Sequence, residues 1–206
     1  MIIHNFEQKS EAWHEARCGR VTGTRFKALV SGESTQTYKD LVTNIACEII
    51  TRRQEDTYTS PDMERGVELE PVARELYAEI MDVRVLEIGF ITPDEDTPYA
   101  EWVGISPDGV IKNSLLEIKC PKARTHLEYI EANKLPSEYR YQVQGQLFVT
   151  GFEYCDFMSY SEGMKPFIIR VYPDFELFEL FKTRLDKLIL DVRQKLKIYY
   201  KYDYDV

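Results

Sequence analysis

Apolar residues recur along the chain with two periods, and the change of period divides it into segments. Ser10–Arg17 and Thr22–Val30 read as short helices, the second with Thr22 as its N-cap. A polar loop is expected at Ser31–Thr37. The spacing of Leu41, Ile45 and Ile49 then predicts a helix over Tyr38–Arg53. After a second polar loop at Gln54–Pro61, the Pro61–Met81 segment carries one apolar stripe, formed by Leu69, Val72, Ala73, Leu76, Tyr77 and Ile80.

Beyond Met81 the pattern shortens. Val83–Thr92, Tyr99–Ile105, Gly109–Lys112 and Leu115–Cys120 read as short strands, separated by turn signals at Pro93, Pro107-Asp108-Gly109 and Asn113. Arg124–Asn133 and Glu138–Thr150 are expected as helices. Tyr154–Tyr160 and Pro166–Tyr172 are expected as strands joined at Gly163. Leu177, Leu180, Phe181, Leu185, Leu188, Ile189, Val192 and Leu196 return to helical spacing, which predicts a scaffold helix over Asp174–Tyr199. This order implies an α/β or α+β fold, with a mixed central sheet flanked by helices. A chain of 206 residues without repeats or a long linker suits one domain over residues 1–206, with the last helix packed on its core.

Composition narrows this picture only slightly. An apolar share of 44% and a charged share of 30% are ordinary for a globular protein. No apolar run is long enough to span a bilayer. The opening MIIHNFEQKSEAW lacks the basic start and long apolar stretch of a secretory signal, so a cytoplasmic location is expected. Cys18, Cys47, Cys120 and Cys155 form no CxxC pair, and they read as buried free thiols rather than as a zinc or redox site. His4, His14 and His126 have no ligand spacing. The net charge of −9 argues against a nucleic-acid partner for the molecule as a whole. A basic face would have to be local, with Arg17, Arg20, Arg25, Lys27, Arg52, Arg53, Lys122 and Arg124 as candidates.

The candidate chemistry lies in Ser106-Pro107-Asp108-Gly109 and the following Glu117-Ile118-Lys119. Alternate residues of a strand share a face, so Glu117 and Lys119 point one way, with Leu116 and Ile118 on the other side. Charges on a buried strand cost free energy unless they meet partners. A hairpin would return Asp108 to the side of Glu117. Two carboxylates and a backbone carbonyl make an oxygen-rich site of the kind Mg²⁺ prefers. On its own this pattern also fits an ordinary Pro-Asp-Gly turn beside a Glu117–Lys119 ion pair. In the Pro61–Met81 helix, Glu64, Glu68, Glu75 and Glu79 fall on one flank of the stripe, and Glu70 falls alone on the other. Glu70 is therefore either a further acid at the rim of the site or a solvated charge. Gln142, in Tyr139-x-x-Gln142-x-Gln144, has the reach to bond a water or phosphate oxygen, or it belongs to a polar helix face.

Five motifs in order give the chain a resemblance to a known family. They are Trp13-x-x-x-Arg17-x-Gly19-x-Val21-Thr22-x-Thr24, Arg65-Gly66-x-x-x-Glu70-x-x-Ala73-Arg74, Ser106-Pro107-Asp108-Gly109, Leu116-Glu117-Ile118-Lys119-Cys120-Pro121 and Tyr139-x-x-Gln142-Val143-Gln144. Together they resemble the phage lambda exonuclease family, the YqaJ-type viral recombinases of the PD-(D/E)xK nuclease superfamily, from about Trp13 to Gly151. The resemblance implies a restriction-endonuclease-like core. It also implies Mg²⁺-dependent 5′→3′ digestion of one strand of linear duplex DNA to leave 3′ overhangs, with two ions per site and Mn²⁺ as a substitute. It implies a ring-shaped homotrimer that works beside a single-strand annealing protein. By the same resemblance, Asp108, Glu117 and the Ile118 carbonyl bind metal, Lys119 is catalytic, and Glu70 and Gln142 lie near the metals and the water. Arg17 and Thr24 match the family's pocket for the 5′-phosphate. A further acid that the family often carries ahead of the Pro-Asp-Gly aspartate is replaced here by Pro98, and it is left unassigned.

Two other readings remain at this point. An endonuclease of the same superfamily shares the Asp, Glu and Lys but has no need of an end-phosphate pocket. A non-catalytic DNA-binding recombination scaffold has no use for buried acids near phosphates.

Overall fold

The computed structural model describes residues 1–54 and 60–201. The loop expected at Gln54–Pro61 lies largely outside the described residues. The chain runs through β1 (Ile2–His4), α1 (Glu11–Arg17), α2 (Phe26–Leu29), α3 (Gln36–Thr51), α4 (Pro61–Met81), β2 (Phe90–Thr92), β3 (Gly109–Ile111) and β4 (Ser114–Lys119). It continues through α5 (Ala123–Ala132), α6 (Arg140–Thr150), β5 (Tyr154–Ser159), β6 (Phe167–Val171) and α7 (Phe175–Tyr200). Short 3₁₀ turns at Gly23–Arg25 and Ser137–Tyr139 precede α2 and α6.

The central sheet has the order β3-β4-β5-β6. Its β3–β4 and β5–β6 pairs are antiparallel and its β4–β5 pair is parallel, so the sheet is mixed. The fold is α/β, with helices on both faces of this sheet. Leu115, Cys155 and Phe157 join a large core with α3, α6 and α7, in which Leu177, Phe181, Leu185, Leu188 and Val192 of α7 are buried. Each such fully buried side chain stabilises the fold by about 2 kcal/mol. On the opposite face Leu116, Ile118 and Met158 pack on Ala73 and Tyr77 of α4. The Tyr77 hydroxyl donates to the buried Asp156 of β5 at 2.7 Å, and Asp156 also takes a two-pronged contact from Arg170 at 2.9 Å. Those bonds fix α4 over the sheet and satisfy a carboxylate that would otherwise be costly to bury.

Several expected elements differ. Val83–Thr92 narrows to Phe90–Thr92, because the segment before it meets the sheet only through a bridge from Leu86 to Val110. Tyr99–Ile105 is turns with single bridges at Val103 and Ile105, since its amides bond back to Thr97 and Tyr99 carbonyls. The expected Thr22–Val30 helix opens as a 3₁₀ turn, and the Thr22 side chain makes no capping bond. Residues 36 and 37 belong to α3 rather than to a loop, because the Thr35 hydroxyl caps at the Tyr38 amide. Strand β1, which pairs with β2, carried too short a pattern to be expected. The stripe on α4 is narrower than its spacing suggests: Ala73 and Tyr77 are buried, whereas Val72 and Ile80 are about half exposed. Among the cysteines only Cys155 is buried, Cys47 is exposed, and all four are free. Among the described residues no helix is long and apolar enough to cross a membrane.

Candidate active site

Strand β4 delivers Glu117 and Lys119 to one face because side chains alternate along it. The β3–β4 hairpin pairs Gly109 with Leu116, which carries Asp108 back beside the end of β4. There the Asp108 Oδ2 accepts a hydrogen bond from the Ile118 amide at 2.7 Å. Gly109 is needed at this turn, since a Cβ there would overlap the Val85 side chain.

Glu117 is fully buried. Its Oε1 meets both the Lys119 ammonium and the Gln142 amide, and its Oε2 accepts from Gln146 Nε2 at 2.6 Å. Gln142 and Gln146 stand one helical turn apart on α6, so they face the same way. Gly145 between them lets α6 lie against Phe26, whose ring a Cβ there would overlap. Gln144 points elsewhere, donating to the Tyr172 carbonyl at 2.8 Å and accepting from the Asp174 amide at 2.8 Å. Spacing along the helix separates Gln146 from Gln144, and the sequence reading missed Gln146.

The electrostatics are those of crowded negative charge. Burial, and next the neighbouring Glu117, push the Asp108 carboxyl well above the usual carboxylate range, against the opposing pull of Lys119. Burial alone would lower the Lys119 ammonium, but Glu117 and Asp108 outweigh it and hold Lys119 above its ordinary value, fully protonated. The Lys119 Nζ also lies 5.3 Å from the centre of the Tyr139 ring. Asp108, Ile118 and Lys119 open onto a cleft of about 510 Å³, lined across from them by Glu70 and Arg65 of α4. Cys120, also in the cleft, has a thiol that burial pushes up to about 11, so it is not a thiolate near neutral pH.

Glu70 sits on α4 with its Oε1 at 2.5 Å from Arg74 Nη2. The like charge of Glu70 also raises the Asp108 carboxyl. Among the described residues no three His, Cys, Asp or Glu side chains gather closely enough to hold a metal by themselves. The donors that converge are the Asp108 and Glu117 carboxylates, next to the Ile118 carbonyl. An all-oxygen set with few protein ligands suits a hard cation that keeps several waters.

Arg17 lies within reach of the same loop. Its Nη1 donates to Ser106 Oγ at 3.1 Å, its guanidinium stacks 4.0 Å from the Trp13 ring centre, and its buried Nε has no partner among the described residues. Burial, and next the charge of Arg25, lower Arg17 to about 10, which leaves it cationic. Thr24 is exposed on the 3₁₀ turn, and the adjacent Gly23 faces the Gln142 side chain. Of the proposed basic face, Arg25 is committed to the buried Glu48, and Arg20 to the carbonyls of Ala16, Ala100 and Val103. Both guanidinia serve the fold. Lys27, Arg52, Arg53, Lys122 and Arg124 are exposed.

A mixed sheet that brings Asp, Glu and Lys to one strand end beneath an acidic helix defines a nuclease of the phage recombinase type. The model of the YqaJ-like viral recombinase domain matches residues 12–153, and the chain belongs to that family. The alkaline exonuclease LHK-Exo of Laribacter hongkongensis is 32% identical, with a TM-score of 0.82 over 93% of this chain and 97% of that one. Its complex with dAMP matches at 31% identity and a TM-score of 0.82, over 92% and 96% of the two chains. A phage-related exonuclease from Haemophilus somnus 129PT shares the fold at 13% identity and a TM-score of 0.66, over 87% and 96%. None of the curated proteins matches the chain.

Proposed function

We propose that this chain is a Mg²⁺-dependent exonuclease that digests one strand of linear double-stranded DNA in the 5′→3′ direction. The overhangs it leaves would serve recombination by a single-strand annealing protein. The reading takes residues 1–206 as one nuclease domain, working as a homotrimer ring in the cytoplasm of a bacterial or phage-infected cell. The observation that carries it is the junction of Asp108, Glu117 and Lys119 at the open end of β4. Family membership and the likeness to the alkaline exonuclease LHK-Exo support it further.

In this reading Asp108, Glu117 and the Ile118 carbonyl hold Mg²⁺, or Mn²⁺ in its place, with Glu70 acting through water; two ions per site follow the family pattern. The ion supplies charge for polarising the phosphodiester and lowering the pKa of water. The protein does the rest by placement. Gln142 and Gln146 hold the Glu117 carboxylate in one orientation. Lys119, kept protonated by its acidic neighbours, is placed to stabilise the negative charge that grows on phosphorus oxygens. Arg17 and Thr24 hold the 5′-phosphate, since a guanidinium fork and a hydroxyl match phosphate oxygens. That end-phosphate pocket favours an exonuclease over an endonuclease.

The test is one linear duplex labelled separately at each 5′ end, incubated with and without Mg²⁺ beside a covalently closed circle. The expected result is metal-dependent release of nucleotides from each 5′ end and an untouched circle. Cleavage of the circle, or digestion that begins at 3′ ends, would overturn the reading.

A further inference from the structure

Arg74 ties the helix that bears Glu70 to the turn that bears Asp108. Its Nε donates to the Asp108 carbonyl at 2.7 Å, its Nη2 to Glu70 Oε1 at 2.5 Å, and its Nη1 to Glu87. The side chain is only 11% exposed, so these bonds are made largely away from water. We infer that Arg74 is a positioning residue, whose planar fork sets Glu70 and the Asp108 turn in one fixed relation for cation binding. The inference rests on the reading of Asp108 as a metal ligand and gives Arg74 a part in it.

Three features carry the argument. First, a single guanidinium ties the helix that bears Glu70 to the turn that bears Asp108, across 34 positions of sequence. No backbone ladder joins those two points. Second, the contact to Asp108 is to its carbonyl, while the carboxylate is engaged separately by the Ile118 amide. The turn is thus held from both sides and the side chain cannot swing. Third, Arg74 occupies one oxygen of Glu70 and leaves the other free to meet a bound water. Lysine carries the same charge but lacks the planar fork that serves the carbonyl, Glu70 and Glu87 in one fixed geometry.

The experiment measures Mn²⁺ binding by calorimetry, and separately kcat and KM on linear duplex, for the wild-type chain, Arg74→Lys and Arg74→Met. Partners that orient metal ligands typically account for roughly 10- to 100-fold in affinity. The expected result is Mn²⁺ binding weakened by about that factor in both variants. kcat should be low at limiting metal and recover as metal is raised, with KM for DNA nearly unchanged. In a Glu70→Gln background, Arg74→Lys should have a much smaller effect, because its main partner is already altered. A merely structural arginine would lower the melting temperature and leave Mn²⁺ affinity alone. Arg74→Met keeps the aliphatic reach and serves if the lysine variant does not fold. Wild-type Mn²⁺ affinity in either folded variant, or full additivity with Glu70→Gln, overturns the inference while leaving the metal site intact. A wild-type chain that binds no Mn²⁺ overturns the proposed function instead, and the inference with it.

Discussion

The Asp108 carboxylate accepts the Ile118 amide at 2.7 Å, so the turn before β3 is bonded to the strand that carries Glu117 and Lys119. That amide lies on the edge of β4 beyond the end of the hairpin ladder, where Gly109 pairs with Leu116. An aspartate there replaces the strand that would otherwise have satisfied it. One carboxylate oxygen is spent on the backbone, and Asp108 lines the cleft together with Lys119 and Glu70. The same bond therefore finishes the hairpin and fixes the direction of an acid.

Asp108→Asn should abolish nuclease activity, with a loss well beyond roughly 100-fold, yet leave the metal-free protein at least as stable as wild type. Burial and Glu117 raise the Asp108 carboxyl above its unfolded value. Such a group favours the folded state only while protonated, so at neutral pH its charge opposes folding. Asparagine removes that charge and keeps an oxygen for the Ile118 amide. Melting in EDTA checks the stability. Added Mg²⁺ should then raise the melting point of wild type, by the equivalent of about 2.7 kcal/mol at a hundredfold excess over Kd, and not that of the variant.

Arg17→Ala should reduce the preference for 5′-phosphorylated over 5′-hydroxyl ends by about 10- to 100-fold, the range for losing a hydrogen bond to a charged group. Arg17 is held by Ser106 and stacked on Trp13, which fixes its guanidinium as the cation for a terminal phosphate. Thr24→Ala removes a single exposed hydroxyl and should cost less. Competition between differently phosphorylated linear duplexes measures both. An unchanged preference in Arg17→Ala would remove the end-phosphate role.

What the sequence made legible followed from periodicity. The alternation in Leu116-Glu117-Ile118-Lys119 correctly separated two faces, since Leu116 and Ile118 pack under α4 while Glu117 meets α6 and Lys119 reaches Glu117 and the Tyr139 ring. Helices α4 and α7 were visible because their apolar residues repeat over many turns. Tyr99–Ile105 looked like a strand because aromatic and β-branched residues fit strands, but its amides find partners within the same turn. Arg20 and Arg25 looked like DNA-binding charge, and nothing local in the sequence reveals the buried Glu48 and the distant carbonyls that hold them. Arg74 stood in a quoted motif without a role, because its partners at Asp108 and Glu87 are brought near only by the fold.

Acid should weaken the seating of α7. The Asp174 side chain caps that helix at the Leu177 amide, at 3.1 Å, and pairs with Arg140 at 2.8 Å. Arg140 first, and the Leu177 amide next, hold its carboxyl below the usual range. An acid with a lowered folded pKa contributes stability above its unfolded value of about 3.9, and that contribution is lost as pH falls through the folded value. Asp174→Asn keeps a capping oxygen and removes the charge. Its melting temperature should therefore fall less steeply than wild type between about pH 5 and pH 3. Parallel curves for the two proteins would show that the Arg140 pair contributes nothing.

The three glutamines of α6 should separate cleanly by function. Gln142 and Gln146 face Glu117, whereas Gln144 joins the segment leading into α7. Gln146→Ala leaves a fully buried carboxylate oxygen without its donor, a loss of about 1–3 kcal/mol in stability. It should also lower kcat, because the Oε2 side of Glu117 then loses the donor that fixes its orientation. Gln144→Ala breaks two bonds to the backbone of residues 172 and 174, so it should destabilise by a similar amount. Its kcat, measured well below the melting temperature, should stay within about twofold of wild type, as expected when surviving folded enzyme keeps its site. Equal losses of kcat in both variants would mean that α6 acts as a rigid unit, and the assignment of Gln146 to the active site would fail.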